Sequence, residues 1–300
     1  MAESIFRGVL PAITTPFTED LEVDHAFLAK HVAWLVEAGA SGIVPLGSLG
    51  EGATLSSDEK LAVLKTCVEA CAGEVPVAPG IAALATADAV RLARHAEAAG
   101  CGGLMALPAY VHNGGWHETR AHFEAVIAAT GLPCMLYNNP IAYGTDVVPE
   151  QIAALAASHA NLVAVKESSG DIRRITAIRA LVGDRLDLLI GLDDLLVEGV
   201  CAGADGWIAG LVNALPRESM RLFELARRGE REQAEALYRW FLPLLRMDTV
   251  PEFVQLIKLV QAEVGMGSET VRPPRLRLPE VERERALEAT RRALRARPAL

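Results

Sequence analysis

The segment 133–170, PCMLYNNPIAYGTDVVPEQIAALAASHANLVAVKESSG, carries the pattern that decides the fold. A short apolar run, Pro133–Tyr137, is followed by a helical stretch, Pro149–Ser158, and then by a second apolar run, Leu162–Val165. Continuous rather than alternating hydrophobicity is typical of strands covered on both faces, as in a parallel sheet. The segment therefore predicts a strand–helix–strand unit with parallel strands.

The same alternation recurs along the chain. Eight apolar runs are interpreted as strands: Gly8–Ile13, Ser41–Leu46, Val75–Ile81, Gly102–Leu107, Pro133–Tyr137, Leu162–Val165, Leu186–Ile190 and Gly206–Ala209. Eight amphipathic stretches are interpreted as helices: His25–Glu37, Asp58–Ala72, Ala85–Ala99, Trp116–Thr130, Pro149–Ser158, Ile172–Val182, Leu195–Ala202 and Arg217–Arg228. Eight such units are what an α/β barrel of the (β/α)8, or TIM-barrel, type requires.

A doubly wound open sheet is the competing architecture. It usually has about five or six strands, and its dinucleotide-binding form carries a glycine-rich first turn. Neither GxGxxG nor GxxxxGK[ST] occurs here, which favours the barrel. After residue 230 the alternation stops, and residues 231–246, 252–264 and 280–297 predict three more helices. We therefore expect a catalytic barrel over residues 1–230 and a C-terminal three-helix extension, packed on the barrel, over residues 231–300.

Composition excludes several classes of partner. The net charge of −9 repels phosphate backbones, so no nucleic-acid partner is expected. No apolar run approaches the about 18 residues that a membrane span requires, so no membrane partner is expected either. The cysteine count is odd, no CxxC pair occurs, and we find no signal peptide, which predicts a reduced, cytoplasmic protein. We expect all five cysteines to act as small buried hydrophobic residues: Cys67, Cys71, Cys101, Cys134 and Cys201.

In a barrel the active site lies at the carboxyl ends of the strands. The candidate site residues are therefore those that end or follow the apolar runs: Ser48, Leu49, Tyr110, Tyr137, Lys166, Gly191, Asp193, Asp194, Ile208 and Gly210. A metal is not expected, because His117-Glu118 with His122 spells HExxxH, one residue too long for the zinc pattern HExxH.

Lys166 is the most informative candidate. The other lysines lie in amphipathic helical stretches where a charged head can reach water: Lys30, Lys60, Lys65 and Lys258. Lys166 instead ends an apolar run, where lost hydration lowers the pKa of an amine. A neutral amine is a nucleophile toward a carbonyl carbon and gives a Schiff base. The alternative is an ion pair with Glu167 or another neighbouring carboxylate.

Two further features lie at the same end of the predicted barrel. Tyr137 closes the strand before Lys166, so its hydroxyl can lie beside the lysine and move a proton, or it can be an ordinary core aromatic. The loop Gly47–Glu51 offers closely spaced backbone N–H groups and the Ser48 hydroxyl. Such a loop can hold a carboxylate, or it can be an ordinary turn.

Three motifs together resemble one family. Gly47–Leu55 resembles the GTTGE…ATL segment of the dihydrodipicolinate synthase and N-acetylneuraminate lyase family. Tyr137–Pro140 resembles its YNxP motif, and Val165–Gly170 resembles its KEx[ST]G motif. The order and spacing fit over nearly the whole chain, including the opening segment Gly8–Phe17 and the late segment Val271–Pro274.

The resemblance implies class I aldolase or lyase chemistry on a (β/α)8 barrel, with no metal and no organic cofactor. Lys166 then matches the Schiff-base lysine, and Tyr137 the general acid/base. Ser48 and Tyr110 match the hydroxyls of a proton relay, and in many members the tyrosine reaches in from a neighbouring subunit. The backbone of Ser48 and Leu49 matches the site for the 2-oxo acid carboxylate. Members are commonly homotetramers, so a homotetramer is expected.

Departures from the family's biosynthetic synthase bear on the substrate. That enzyme has an arginine shortly after YNxP that binds the carboxylate of aspartate semialdehyde, and Ala142 stands there in this chain. Leu49 replaces the second hydroxyl of GTTGE. Gly191–Asp194 resembles the GxD[ED] segment with which sialic acid lyases hold sugar hydroxyls. Two carboxylates suit a hydroxylated substrate and repel a second carboxylate.

The expected function is therefore that of a lyase acting on a pyruvate-type 2-oxo acid that carries hydroxyl groups. A 2-keto-3-deoxy sugar acid or a 4-hydroxy-2-oxo acid, cleaved or dehydrated, fits this description. One alternative is a 4-hydroxy-tetrahydrodipicolinate (dihydrodipicolinate) synthase that condenses pyruvate with aspartate semialdehyde. Another is a non-catalytic barrel that binds a 2-oxo acid. Lys166, Tyr137 and Ser48 together argue against the last, because binding alone needs no nucleophile.

Overall fold

The sheet of the molecule is a ring of parallel strands. A computed structural model describes residues 4–299. Within them, seven strands form one sheet in the order β1-β7-β6-β5-β4-β3-β2. Their bounds are β1 Gly8–Pro11, β2 Gly80–Ile81, β3 Leu104–Ala106, β4 Cys134–Asn138, β5 Leu162–Glu167, β6 Asp187–Ile190 and β7 Gly206–Ala209. Every pairing in the sheet is parallel.

The segment Ser41–Leu46 closes the ring between β1 and β2. On one side the Val44 N–H donates to the Pro11 carbonyl at 2.8 Å, and on the other the Ile43 N–H donates to the Pro76 carbonyl at 2.9 Å. The chain therefore supplies the eighth member of the barrel where the sequence predicts it. The expected TIM-barrel fold is confirmed.

This eighth segment is not a regular strand, so its prediction as one is wrong in detail. It makes only isolated bridges, Ala12 to Val44 and Ile43 to Val77. Pro45 has no N–H to donate, and Leu46 has a φ of 63°, in the left-handed region. Both residues stop the ladder, because strand pairing needs donors and an extended backbone.

The helices alternate with the strands and then continue beyond them. Their bounds are α1 His25–Glu37, α2 Ser57–Cys71, α3 Thr86–Ala98, α4 Trp116–Ile127, α5 Pro140–Tyr143, α6 Pro149–Ser158, α7 Arg173–Val182, α8 Leu196–Cys201, α9 Pro216–Arg228, α10 Arg231–Leu245, α11 Phe253–Glu263 and α12 Glu280–Arg295. All of the predicted helices are present with small changes at their ends. The single turn α5 is an addition that the sequence interpretation did not include.

Local sequence explains where α2 begins. The Ser56 hydroxyl accepts a hydrogen bond from the Glu59 N–H at 3.2 Å, and the Glu59 carboxylate accepts one from the Ser56 N–H at 2.8 Å. This reciprocal capping box satisfies two backbone donors that the first turn of a helix leaves free. It sets the end of the loop that follows the segment Ser41–Leu46.

Two expectations about burial are wrong. Lys258 does not reach water, since it is only 2% exposed on α11 and its Nζ lies 2.6 Å from Glu51 Oε1. Cys201 is exposed at the end of α8, although the other four cysteines are buried. Within the described residues, no helix is both long enough and apolar enough to cross a membrane.

Candidate active site

Strands β4 and β5 bring Tyr137 and Lys166 together. The two residues are direct partners in the parallel register, and Lys166 Nζ lies 4.0 Å from the centre of the Tyr137 ring. Both side chains therefore stand side by side at the carboxyl ends of their strands. This is the adjacency that the ends of the two apolar runs predict.

The Lys166 amine is buried and lacks a partner. The residue is 6% exposed, and within residues 4–299 no hydrogen bond or ion pair reaches Nζ. Burial lowers the pKa of Lys166 to about 8, and the negative charges of Asp248 and Asp193 oppose this change. A substantial fraction of the amine is therefore neutral near physiological pH, which is what a nucleophile toward a carbonyl requires.

The ion pair between Lys166 and Glu167 does not form. One carboxylate oxygen of Glu167 accepts a hydrogen bond from the Ser169 N–H at 2.6 Å. The other accepts one from the Asn138 side chain at 3.1 Å. Glu167 thus points away from the lysine and secures the turn that follows β5. The alternative interpretation of Lys166, as the partner of Glu167, is wrong.

Gly191 makes room for the lysine. A Cβ atom at this position would lie 2.5 Å from Lys166 Cε and 2.0 Å from Ser168 Oγ, which is too close for any side chain. The Ser168 hydroxyl is buried and has no hydrogen-bond partner among the described residues. Gly191 is therefore required in the site because a side chain there would displace Lys166. Within residues 4–299, Ser168 places a hydroxyl without a hydrogen-bond partner next to the lysine.

The Tyr137 phenol is held in its protonated form. Burial raises its pKa to about 12, although a hydrogen bond from the Asn139 side chain, at 3.0 Å, opposes this change. A phenol with that pKa keeps its proton at neutral pH and can donate it to a developing negative charge. Tyr137 is thus suited to general acid/base work beside the amine.

The loop after the segment Ser41–Leu46 presents unused donors. Within residues 4–299, the backbone N–H groups of Ser48 and Leu49 make no hydrogen bond. The Leu49 side chain is buried, at 4% exposed, so only its backbone is offered to the site. At Gly52 a Cβ atom would lie 2.2 Å from the Leu46 carbonyl oxygen, so the tight loop tolerates only glycine there.

Glu51 anchors this loop to the C-terminal helices. One carboxylate oxygen accepts a hydrogen bond from Lys258 Nζ at 2.6 Å, and the other accepts one from the Arg272 N–H at 3.0 Å. Lys258 also donates to the Thr270 carbonyl at 2.7 Å. The buried charges are therefore paired, and the position of the loop depends on residues far along the chain.

Tyr143, on α5, is a site residue that the sequence interpretation missed. Its hydroxyl is hydrogen-bonded to the Ser48 hydroxyl. Its ring centre lies 5.8 Å from that of Tyr137 and 5.7 Å from that of Tyr110. Pro140 begins the short helix, as proline often does, and this one turn carries Tyr143 back over the barrel mouth. That proline was the available signal.

Asp193 does not have the role expected for it. It is completely buried, and its Oδ1 accepts hydrogen bonds from Trp207 Nε1 at 2.9 Å and from the Gly210 N–H at 3.0 Å. Its Oδ2 accepts one from the Leu211 N–H at 2.7 Å. A carboxylate with these partners shapes the turn after β7 and is not available to substrate hydroxyls.

The remaining predicted residues lie around the same mouth. Asp194 is half-buried, its backbone carbonyl accepts a hydrogen bond from the Tyr238 hydroxyl, and its carboxylate lies 3.9 Å from Arg246 Nε. Ile208 is 1% exposed and serves the core of β7, so its side chain is not a binding group. Among residues 4–299, no three His, Cys, Asp or Glu side chains converge as a metal site would require.

A buried, unpaired lysine beside a phenol, at the carboxyl end of a closed parallel barrel, defines a class of protein. It is the arrangement of a class I lyase or aldolase, which binds a carbonyl substrate as a Schiff base. An adjacent loop with free N–H groups adds a place for the carboxylate of a 2-oxo acid.

The chain belongs to the dihydrodipicolinate synthetase family, whose model matches residues 5–293. It is 32% identical to a 4-hydroxy-tetrahydrodipicolinate synthase of Agrobacterium fabrum, over 95% of this chain and 97% of the relative. It is 34% identical to a protein of the same name from Methanopyrus kandleri, over 89% of this chain and 90% of that one. The expected family is thereby confirmed, and the protein is a Schiff-base lyase of this family.

Solved structures agree with the fold. The dihydrodipicolinate synthase of Aquifex aeolicus superposes with a TM-score of 0.92 at 27% identity, covering 96% of this chain and 98% of that one. YagE, a prophage protein of the same family from Escherichia coli K12, was solved in complex with pyruvate. It superposes with a TM-score of 0.91 at 27% identity, covering 97% of this chain and 99% of that one.

Proposed function

We propose that the protein forms a Schiff base between Lys166 Nζ and the C2 carbonyl of a pyruvate-type 2-oxo acid, and that it cleaves or dehydrates a hydroxylated acid of this class. The observation that carries the proposal is the buried Lys166 amine, which lies against the Tyr137 ring and has no carboxylate partner within residues 4–299. The pyruvate complex of YagE supports the choice of ligand.

The chemistry follows from the two side chains. The neutral Lys166 amine attacks C2, and loss of water leaves an iminium that draws electrons from the C3–C4 bond. In cleavage that bond breaks, its electron pair forms an enamine, and the proton of the C4 hydroxyl leaves as the aldehyde forms. In dehydration C3 instead loses a proton and C4 loses hydroxide. We assign the proton transfers to Tyr137, with the hydroxyl pair of Ser48 and Tyr143 as the relay.

The loop Gly47–Glu51 supplies the site for the carboxylate. The N–H groups of Ser48 and Leu49 donate to no carbonyl among the described residues. They are therefore available to bind an anionic group of the substrate. A 2-oxo acid bound there places its C2 carbonyl between the loop and Lys166. Tyr137→Phe and Lys166→Met leave these backbone donors in place, so carboxylate binding is separable from catalysis.

The hydroxylated substrate is proposed because, among the described residues, neither position 142 nor the start of α7 offers an unpaired positive charge to a second carboxylate. Ala142, which stands where the biosynthetic synthase has its carboxylate-binding arginine, is exposed on α5. Arg173 forms an ion pair with Asp171 at 2.7 Å, and Arg174 forms one with Asp146 at 2.6 Å. Neither arginine at the start of α7 is therefore free to replace the missing cation.

Synthesis of 4-hydroxy-tetrahydrodipicolinate is the second candidate, because the curated relatives carry that name. Arg275 is the observation in its favour. This residue makes no ion pair within residues 4–299, and its charge opposes the rise in the pKa of Tyr110 and Tyr143. Values of kcat/KM for pyruvate with aspartate semialdehyde and with hydroxyaldehydes decide between the two. A tenfold preference for aspartate semialdehyde, about 1.4 kcal/mol in the barrier, would establish the second candidate.

The direct test of the first step is reduction with borohydride in the presence of pyruvate. We expect a covalent adduct on Lys166, found by peptide mass spectrometry, and no adduct when pyruvate is omitted. A barrel that only binds 2-oxo acids gives no adduct, so this measurement also separates the enzyme from the non-catalytic alternative.

We also propose a cytoplasmic homotetramer, on the resemblance to the family. Large apolar side chains are exposed near Tyr110 and α5, with Leu84 at 69%, Val111 at 90% and Ile141 at 72% exposed. A neighbouring subunit would cover them and bring its own residues close to the mouth. Light scattering coupled to gel filtration measures the mass of the assembly, and a monomeric mass would contradict this part of the proposal.

A further inference from the structure

The C-terminal extension places one carboxylate in the mouth of the barrel. Asp248 ends the short 3₁₀ turn Arg246–Asp248 that follows α10. A Cβ atom at Gly210 would lie 2.1 Å from Asp248 Oδ1 and 2.6 Å from its Cγ. The carboxylate therefore packs directly on the backbone that follows β7, in space that only glycine leaves open.

Asp248 lies within electrostatic range of the Lys166 amine. Its charge raises the pKa of Lys166 more than the charge of Asp193 does, and it also raises the pKa of Tyr137. The effect of one charge on another weakens as the distance between them grows. Burial in turn raises the pKa of Asp248 itself well above its ordinary value, with a further rise from Asp193 and Asp194 and an opposing effect from Lys166.

This carboxylate is unlike the two others at the mouth, because it has no partner among the described residues. Within residues 4–299, no hydrogen bond or ion pair reaches the Asp248 side chain, which is partly exposed. Both carboxylate oxygens of Asp193 already accept hydrogen bonds, from Trp207 and from the backbone after β7. The Asp194 carboxylate lies near Arg246. Partly buried carboxylates are costly unless something binds them, and only Asp248 is left for a ligand.

The geometry points to Asp248 as a specificity-determining residue that binds a hydroxyl group on the part of the substrate beyond the imine carbon. This inference rests on the proposed function, since it needs a 2-oxo acid held at Lys166. The carboxyl lies at the end of β7, against Gly210, and its charge acts on Lys166, so it is available to the part of the substrate that extends from the imine. A carboxyl accepts a hydrogen bond from a hydroxyl in either protonation state, and its ionised form also repels a second carboxylate.

The test compares two aldehydes that share the same pyruvate imine. Glyceraldehyde carries hydroxyl groups and propanal does not, although both have three carbons. Any effect of Asp248 on imine formation cancels in the ratio of their kcat/KM values. We expect the wild type to prefer glyceraldehyde, and Asp248→Leu to reduce that preference by about 10- to 100-fold, as for loss of a hydrogen bond to a charged group.

Asp248→Asn keeps the shape and part of the hydrogen bonding, so its ratio should lie between those of the wild type and Asp248→Leu. It also remains informative if the leucine variant does not fold. Asp184→Asn is the matched control, because it makes the same charge change at a side chain that is 99% exposed. The control should keep the wild-type ratio.

The outcomes separate this inference from the proposed function. Without a borohydride adduct in the wild type, both are overturned. With the adduct present, a wild-type enzyme that does not prefer glyceraldehyde, or that turns over neither aldehyde, overturns the role of Asp248 alone. The same holds if both Asp248 variants keep the wild-type ratio. A graded loss across the two variants, with the control unchanged, supports it.

Discussion

Replacing Lys166 with methionine should abolish catalysis and leave the protein at least as stable. Methionine has nearly the length of the lysine side chain but no amine, so it fills the same space beside Tyr137 and Gly191. No ion pair is broken by the change, because none reaches Nζ within the part of the chain that the structure describes. The buried nucleophile is thus a cost to folding that the variant removes.

The size of that cost follows from the pKa. Burial lowers the pKa of Lys166 to about 8 from its ordinary 10.5, and this difference corresponds to about 3 kcal/mol. Between these pH values the unfolded chain binds more protons than the folded one, so the contribution of this group to stability rises with pH through that window. Below pH 8 the full cost is present. The variant loses the contact of the ammonium with the Tyr137 ring, worth about 1 kcal/mol, which reduces the gain.

Urea denaturation of wild type and variant at pH 7 and at pH 10.5 measures this directly. We expect the variant to be more stable by about 1–3 kcal/mol at pH 7, and the advantage to disappear at the higher pH. Borohydride with pyruvate should give no adduct. A loss of more than about 1 kcal/mol at pH 7 would show that Lys166 is a structural charge, since breaking a buried ion pair is strongly destabilising, and the reasoning would fail.

Tyr137→Phe should lower kcat by about 10²- to 10⁴-fold while the borohydride adduct still forms, and an effect confined to KM would make the residue a binding group instead. Ser48→Ala should cost less than Tyr137→Phe, because the backbone N–H remains. Tyr143→Phe should match Ser48→Ala within a few-fold if the two hydroxyls act as one relay, and a far larger loss in either would disprove the shared role. Ala142→Arg should raise kcat/KM for aspartate semialdehyde relative to hydroxyaldehydes, and an unchanged ratio would mean that position 142 does not face the substrate.

The core of the site was predictable because it depends on short-range pattern. A lysine and a tyrosine that end two successive apolar runs must meet once the strands are parallel and in register, and Tyr137 and Lys166 do. The (β/α)8 architecture followed from the same periodicity. The segment Ser41–Leu46 departs from a regular strand, since Pro45 and the backbone of Leu46 interrupt its pairing, and the predicted strand Val75–Ile81 is regular only over Gly80–Ile81.

What could not be predicted depends on contacts between distant parts of the chain. Asp193 looked like a ligand for hydroxyl groups, but the indole of Trp207 and the backbone after β7 take up its oxygens. Asp248 carried no local signal, because nothing in its own segment indicates that the turn after α10 folds over Gly210. Helical periodicity places a residue on a face, but it does not show which element covers that face.

The two buried lysines show why the absence of a partner at Lys166 is informative. Burial lowers the pKa of Lys258 as well, yet Glu51 opposes this from 2.6 Å and the Thr270 carbonyl accepts a second hydrogen bond. Lys258 thus shows how this chain satisfies a structural buried lysine. Its ion-pair partner, Glu51, lies 207 positions away in the sequence. In the described part of the chain Lys166 receives no such partner, although Glu167 is its neighbour in sequence and Asp248 lies nearby. An unpaired charge at the carboxyl ends of the strands lowers stability, and the proposed Schiff-base reaction, which needs the neutral amine, gives this arrangement a purpose.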